Sequence, residues 1–423
     1  MRKVILLLVA FILVSCAKTY DPLTGKETYT LLPESQEIKI GQMYVPLAIE
    51  QNDGRYPDKE VQEYVSQLGQ EIAKHTPRKL NYKFYVVNTD VINAFALPGG
   101  FIFVNRGLIL ALDKEDQLAG VLGHELAHVN ARHHAKFLEK MYGMNLLMNL
   151  AAIFAYQTKY GNVLMQFGGL GAQLLSLKWS RDQESEADRY GIRFTYNAGY
   201  DPRGLIETFY IFKKLDKIHQ PEWLLTHPLP DTRIKQAKRI ISRLDLNKPL
   251  KKDSPRFHYI KKKLEKTKPS YDLYKKAKIK LIKDKNLVAA LNLVDKAIKL
   301  YPENNAALAL KSYILLKQEK YADGVKYAVK AAQIDGMFFR PHFFAGFGYF
   351  KLKKYRESIK YLTKAKVLIP NFPDTYYFLG RDYEALGEIS KAIKNYEKAL
   401  KLTNGKRGWE ADAKRRLQRL LGY

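Results

Sequence analysis

The sequence predicts a mainly α-helical protein in which an α+β domain with a small sheet is followed by an all-α solenoid. Two segments, 82–88 and 100–109, are rich in aromatic and β-branched residues, as strands are. Helical segments surround them, the first covering 36–75 and a longer one beginning near Asp113. Towards the C-terminus, small residues recur every 34 positions, a spacing typical of helical repeats.

Length and charge narrow the class of protein further. The 423 residues suffice for two or three domains with cores of their own, and a hydrophobic content of 46% excludes a disordered chain. Lys and Arg number 71 against 43 Asp and Glu, which gives a formal net charge of +28. Such an excess favours anionic partners, namely acidic polypeptides, anionic lipid or nucleic acid.

The first sixteen residues have the pattern of a lipoprotein signal peptide. Arg2 and Lys3 precede an apolar run at 4–14, which is about half the length of a membrane span. The run leads into "LVSC", which resembles a bacterial lipobox, so Cys16, the only cysteine, is the predicted lipidation site. We therefore expect export to the periplasm, a lipid anchor in the outer rather than the inner membrane, no internal disulfide and no nucleic acid partner. Residues 17–35 are predicted to be a polar tether.

A strongly apolar stretch at 141–177 has two interpretations. The polar segment "QTKYGN" divides it into halves that are each too short to span a bilayer. It predicts a helical hairpin that packs near the active site or dips into the membrane interface, and a plain core hairpin is the alternative.

The C-terminal repeat is carried by four alanines, each 34 residues after the last. Small residues stand seven positions before each alanine and helix stoppers five positions after it, which resembles tetratricopeptide repeats. Four repeats are predicted over 271–406, with a capping helix at 407–423. A basic linker at 247–270 separates them from a domain at 36–246. The alanines are Ala297, Ala331, Ala365 and Ala399.

The segment "GVLGHELAHVNARHHAKF" at 120–137 contains the clearest chemical signal. On a helix, His124 and His128 lie one turn apart and within about 40° of each other, so both reach one Zn²⁺. Glu125 lies about 100° from His124, where it can contact a water on the metal without becoming a ligand. Zinc lowers the pKa of such a water, and a carboxylate takes its proton.

The third metal ligand has to come from elsewhere in the chain. If the helix continues through Ala131, a good helix former, His134 lies about 15 Å along the axis from His124 and is out of reach. His133 points away from His124 by about 180° and is excluded in the same way.

The segment "ESEAD" offers the best candidate for that ligand. Glu184 and Asp188 are four residues apart on a predicted helix, so one face presents both. Glu184 can complete a His₂Glu site, and Asp188 can orient a ligating histidine or assist proton transfer. Glu186 points about 200° away and is expected to face solvent; it is the alternative ligand if the opposite face is used.

These residues resemble the gluzincin metallopeptidases of the HtpX and CAAX prenyl protease type. The motifs are "GHELAHV", "ESEAD", "NAFALPGGFIFVNRGLI" at 93–109 and "THPLPDTRI" at 226–234. The repeats behind them resemble the BepA-like branch, the β-barrel assembly-enhancing proteases. The resemblance implies a zincin-like peptidase domain with one Zn²⁺ per chain and Glu125 as general base. The implied metal ligands are His124, His128 and Glu184.

The resemblance also assigns roles near the "THPLPDTRI" segment. It implies Asp188 as a supporting acid, and His227 and Arg233 as groups that stabilise the oxyanion or hold the substrate carbonyl. The strand at 101–104 is expected to offer an edge to an extended substrate.

The function that follows is a zinc endopeptidase of the cell envelope that degrades or processes misfolded or misassembled proteins. The repeats would bind these polypeptides or an envelope assembly machine, and lipidated Cys16 would bind the membrane. The alternative is a chaperone or scaffold whose zinc site is latent or structural.

Overall fold

The structure is a computed structural model that describes residues 17–141, 174–175, 177–216, 221–403, 405 and 407–422. The predicted signal peptide with Cys16 and nearly all of the apolar stretch 141–177 lie outside these residues. Within the described ranges, no helix combines the length and the apolarity needed to cross a bilayer.

The described chain divides into two compact units. The first contains the residues up to Val45 together with Lys59–Lys262, and the second contains Pro46–Asp58 and Lys263–Tyr423. The prediction of a mainly helical protein with a small sheet and a C-terminal helical repeat region is confirmed. The predicted domain bounds stay predictions.

The first unit combines a small sheet with several helices. Its strands are β1 (Ala17–Tyr20), β2 (Glu27–Thr30), β3 (Lys83–Val87), β4 (Ala94–Leu97) and β5 (Phe101–Asn105). Its helices are α1 (Glu34–Gln51, which continues into the second unit), α2 (Lys59–Ala73), α3 (Arg106–Ala111), α4 (Glu115–Asn130), α5 (Arg181–Asn197), α6 (Arg203–Asp216), α7 (Glu222–Thr226) and α8 (Asp231–Ile241).

The three-stranded sheet has the order β3-β5-β4. β5 runs parallel to β3 and antiparallel to β4, so both of its edges are paired. The expectation that residues 101–104 offer an edge to a substrate is therefore wrong. Every residue of β5 is buried, which explains its continuous run of apolar side chains.

The predicted tether contains a short hairpin formed by β1 and β2. Ala17 pairs with Thr30, and Tyr20 pairs with Glu27. The turn between the strands is held by Asp21, whose carboxylate accepts the backbone N–H of Thr24 at 2.9 Å.

The two helices that carry the predicted ligands cross at a pair of glycines. A Cβ on Gly123 of α4 would lie 2.8 Å from the carbonyl oxygen of Gly191, and one on Gly191 of α5 would lie 2.8 Å from the amide nitrogen of His124. Only glycine permits this approach, and it brings the two helix backbones into direct contact.

Helix α4 ends earlier than the sequence predicts. Ala131 caps it, and Arg132 adopts a left-handed conformation with φ of 54°. The Arg132 side chain donates to the carboxylate of Glu37 at 3.0 Å and to the carbonyl of Leu32, and these contacts hold the break. Residues 133–141 are helical again. The expectation that the helix continues through Ala131 is wrong, because a tertiary ion pair outweighs local propensity.

The second unit is an array of helices. The helices are α9 (Pro255–Ile282, which begins in the first unit), α10 (Leu287–Leu300), α11 (Asn305–Lys317), α12 (Tyr321–Ile334), α13 (Phe339–Lys351), α14 (Tyr355–Leu368), α15 (Pro373–Ala385), α16 (Ile389–Leu402) and α17 (Glu410–Leu421). Helices α10, α12, α14 and α16 begin 34 residues apart, which is the period of the sequence repeat. Helices of this unit meet closely at glycines: a Cβ on Gly324, seven residues before Ala331, would lie 2.8 Å from Leu316, and one on Gly346 would lie 2.5 Å from Leu362.

Residues 46–58 belong to this second unit through several polar contacts. The carboxylate of Asp335 accepts the backbone N–H of Arg55 at 2.8 Å and its Nε–H at 2.9 Å. Tyr56 is buried, and its ring lies against those of Tyr271 and Tyr301. The contacts bind an early chain segment to the repeat helices.

Candidate metal centre

Helix α4 positions two histidines on one face. His124 and His128 are fully buried, and their Nε2 atoms lie 3.1 Å apart. The four-residue spacing turns both rings the same way, as the helical period requires. Two ring nitrogens therefore point to one position in the interior of the first unit.

Helix α5 supplies a carboxylate to the same position. Ser180 and Gln183 form a capping box that starts the helix, and Glu184 follows in its first turn. Glu184 Oε1 lies 3.3 Å from His128 Nε2, and its Oε2 lies 3.7 Å from His124 Nε2. The three residues predicted as ligands thus lie close together.

A fourth candidate ligand atom comes from the residue that caps the C-terminus of α7. His227 Nδ1 lies 2.9 Å from Glu184 Oε1 and 3.3 Å from His124 Nε2. Trp223, one turn earlier, stacks on the His227 ring at 4.6 Å and fixes its plane. One possible ligand atom from each of the four side chains lies within 4.8 Å of the others. The sequence predicted contact with the substrate for His227, and its local context gave no sign of this position.

The donor set fits a metal ion. His124 Nδ1 lies 3.0 Å from the Asp188 carboxylate, so it carries the ring proton and leaves Nε2 with a bare lone pair. Ligand atoms around a tetrahedral Zn²⁺ with bonds near 2.05 Å are about 3.3 Å apart. The distances of 3.1, 3.3 and 3.7 Å among His124, His128 and Glu184 lie around that value. A buried cation would compensate lone pairs and a carboxylate that otherwise face one another.

The charged groups of this cluster shift one another's pKa values. Burial raises the pKa of Glu184, but the positive charges of His227 and Arg233 outweigh it and hold the pKa well below its usual value. Burial lowers the pKa of His227, and the carboxylates of Glu184 and Glu125 reverse this to a raised pKa. Burial, with smaller contributions from the neighbouring His124 and His133, outweighs the carboxylate of Glu184 and holds the pKa of His128 well below its usual value. Glu184 is thus ionised and His128 neutral, the forms that bind metal.

Glu125 lies beside the cluster and outside the group of candidate ligands. Its side chain is buried, and its Oε1 lies 3.7 Å from His227 Nε2. Within the described part of the chain, this oxygen accepts no hydrogen bond. Burial raises the pKa of the Glu125 carboxyl, which makes it a stronger base than a surface glutamate.

Arg233 is held in the interior by two acidic residues. Its Nε and Nη2 donate to both oxygens of Asp188 at 2.8 and 2.7 Å, and Nη1 pairs with Glu184. Burial raises the pKa of Asp188, and the guanidinium of Arg233 outweighs it and lowers the pKa. Arg233 therefore keeps two carboxylates ionised: that of the candidate ligand Glu184 and that of Asp188, which contacts His124.

The remaining histidines of the segment lie outside the group. His134 is buried against Trp179 and is not among the candidate ligands, although the helix breaks at Arg132 and the predicted distance along a continuous helix does not apply. His133 also stays outside, but it contacts His128 and Glu186. Glu186 is therefore not simply solvent-facing as expected, and it is not part of the metal-binding group.

Residues 56–241 match peptidase family M48, and residues 373–405 match the tetratricopeptide repeat. The β-barrel assembly-enhancing protease of Escherichia coli (strain K12) is 32% identical over 230 residues, which are 51% of this chain and 46% of that protein.

Two further relatives show similar coverage. The putative β-barrel assembly-enhancing protease of Vibrio cholerae is 30% identical over 232 residues, 51% of this chain and 46% of that protein. The mitochondrial metalloendopeptidase OMA1 of Homo sapiens is 28% identical over 229 residues, 52% of this chain and 43% of that protein. The chain thus covers about half the length of the curated relatives it matches.

Proposed function

We propose that the protein is a zinc-dependent endopeptidase with one Zn²⁺ per chain, since its residues 56–241 match peptidase family M48. The observation that carries the proposal is the convergence of two bare imidazole nitrogens and a carboxylate beside Glu125, whose Oε1 accepts no hydrogen bond from the described residues. A purely structural site has no use for a base in that position.

The proposed roles follow from the position of each side chain. His124, His128 and Glu184 hold the ion. When bound, Zn²⁺ polarises a peptide carbonyl and lowers the pKa of a water molecule. Glu125 takes the proton from the attacking water and passes it to the leaving amine.

Three residues support this core. Asp188 accepts the Nδ1–H of His124 and so fixes the tautomer that leaves Nε2 bare. Arg233 keeps Asp188 ionised through its two hydrogen bonds. One ring nitrogen of His227 lies 3.7 Å from Glu125 Oε1, and the other lies 2.9 Å from Glu184 Oε1. In a state in which His227 does not bind the ion, its ring would be placed to donate a hydrogen bond to the developing oxyanion.

An extended substrate is proposed to pair with β4. Asn105 donates its backbone N–H to the carbonyl of Asn93, so in this antiparallel register Ala94 and Ala96 direct their backbone groups away from β5. No described strand pairs with that edge, but Ala94 and Ala96 are buried, so a substrate would have to displace the groups that cover them. Ile92, just before β4, accepts the backbone N–H of Trp223, which brings this edge beside His227.

The proposed setting is the periplasm. Lipidation of Cys16 would anchor the protein in the membrane, the outer rather than the inner. The proposed substrates are unfolded or misassembled polypeptides, and the repeats would bind them or an envelope assembly machine. The names of the bacterial relatives, which refer to β-barrel assembly, support this setting. Nucleic acid has no role in the proposal.

One observation favours the alternative of a binding module with a structural or latent site. His227 supplies a fourth protein donor, and structural zinc sites have four.

Replacing Glu125 with Gln separates the two functions. For an endopeptidase, cleavage of a loosely folded polypeptide such as reduced casein should disappear while the zinc content stays near one per chain. Cleavage that survives Glu125→Gln would refute the mechanism. A parent protein that binds zinc and cleaves no polypeptide would favour the binding module.

A further inference from the structure

A chain of hydrogen bonds leads from the metal-binding group to the edge of the first unit. His128 Nδ1, the ring nitrogen remote from the cluster, lies 2.8 Å from His133 Nδ1. His133 Nε2 lies 3.1 Å from a carboxylate oxygen of Glu186. The side chains of His128 and His133 are buried, and that of Glu186 is 25% exposed.

The order of donors and acceptors along this chain follows from its outer end. A carboxylate only accepts, so the proton of a neutral His133 ring resides on Nε2 and is donated to Glu186. His133 Nδ1 is then an acceptor, and His128 must donate its Nδ1–H to it. The ring of His128 has no second proton, so its Nε2 faces the metal position as a bare lone pair.

Without this arrangement, another tautomer of His128 would be favoured. Its Nε2 lies 3.3 Å from Glu184, so a proton on Nε2 would be donated to that carboxylate. This hydrogen bond would occupy two candidate ligands at once and compete with the metal ion. His124 avoids the same tautomer by donating to Asp188, whereas His128 has no carboxylate at its own Nδ1.

The break in the helix makes the contact possible. On a continuous α-helix, His133 would point roughly 140° away from His128, because five residues advance by about 500°. The left-handed conformation of Arg132 turns the chain, and the His133 ring meets the His128 ring at a centroid distance of 4.9 Å. Trp179 stacks on the His128 ring, also at 4.9 Å, and contacts the His133 ring at 5.7 Å.

We infer that His133 and Glu186 are positioning residues that act in series, Glu186 through His133, to hold His128 in the tautomer that binds metal. This inference rests on the metal site of the proposed function, because it concerns how one ligand of that site is held. Neither residue contacts the metal or the substrate. Their effect is on the affinity for the ion, which is measured without catalysis.

The test uses the full-length metal-free protein, with Zn²⁺ alone as the probe and a chromophoric chelator as competitor. His133→Ala should weaken Zn²⁺ affinity by about 10- to 100-fold. His133→Asn should restore most of it, because the Asn Oδ1 takes the position of the ring Nδ1 and still accepts from His128. Glu186→Ala should weaken affinity in the parent and have no effect when combined with His133→Ala.

His134→Ala is the matched control, since it removes a neighbouring buried imidazole that does not contact His128, and its Zn²⁺ affinity should equal that of the parent. Thermal unfolding of each metal-free variant separates lost packing from lost affinity. Parental Zn²⁺ affinity in a folded His133→Ala variant would overturn the inference, as would equal effects of Glu186→Ala with and without His133. If His124→Ala also binds Zn²⁺ like the parent, the metal site itself fails, and the proposed function fails with it.

Discussion

The crossing of α4 and α5 predicts that a single methyl group on Gly191 will disturb the metal centre. In Gly191→Ala, the new Cβ would lie 2.8 Å from the amide nitrogen of His124 and 2.9 Å from the backbone of Gly123. Ordinary contacts begin at 3.4 Å, so the helices must separate by the difference, about 0.6 Å. Metal sites tolerate deviations of about 0.2 Å in their ligand distances. The separation moves Glu184 away from His128 by more than this tolerance.

We expect Gly191→Ala to lose about tenfold or more in Zn²⁺ affinity and about 1–3 kcal/mol in the free energy of unfolding. Affinity is measured by chelator competition and stability by urea denaturation of the metal-free protein. Gly336→Ala is the control, because its Cβ would meet nothing within 4 Å and its φ is not positive. Parental affinity and stability in Gly191→Ala would refute the reasoning that the glycine contact sets the ligand distances.

Three further changes have defined outcomes. Arg233→Leu removes the cation that pairs with buried Asp188 and should lower the free energy of unfolding by about 3–5 kcal/mol in urea denaturation; a loss below about 1 kcal/mol would contradict the buried ion pair. Burial and neighbouring carboxylates raise the pKa of Asp116 from 3.8 to about 7, so the folded state binds the proton more tightly and stability falls as pH rises through this window. Asp116→Asn should remove that part of the slope when thermal stability is followed between pH 4 and 8, and an unchanged slope would contradict it. Asp335→Ala removes the acceptor of Arg55 and should cost the second unit about 2–3 kcal/mol, measured by its own unfolding transition; an unshifted transition would show that the contact is not stabilising.

Local periodicity explains why part of the candidate site was predictable from the sequence. The angle between His124 and His128 depends only on the helical period, and the same holds for Glu184 and Asp188. Apolar neighbours also indicate that the helix of His124 and His128 is buried. The 34-residue repeat likewise requires only that similar helices stack on similar helices, so the repeat helices begin at the predicted period.

The parts that could not be predicted depend on contacts distant in sequence. The break at Arg132 is held by Glu37, which lies 95 residues earlier, and no local pattern announces it. The contact between His133 and Glu186 depends on that break. The strand β4 is not predictable from local sequence, because "AFAL" is short and contains no β-branched residue. Without β4, the sequence predicts β5 as an edge strand.

The four candidate ligands come from α4, α5 and the end of α7, and His124 and His227 are 103 residues apart. An ion at this centre would therefore act as a removable cross-link that closes the segment between His124 and His227 into one loop. If that ion is zinc, as proposed, the lifetime of the folded protein would depend on the supply of free zinc. A shortage of the metal would then abolish the activity and also destabilise the fold, so that other proteases would degrade the protein.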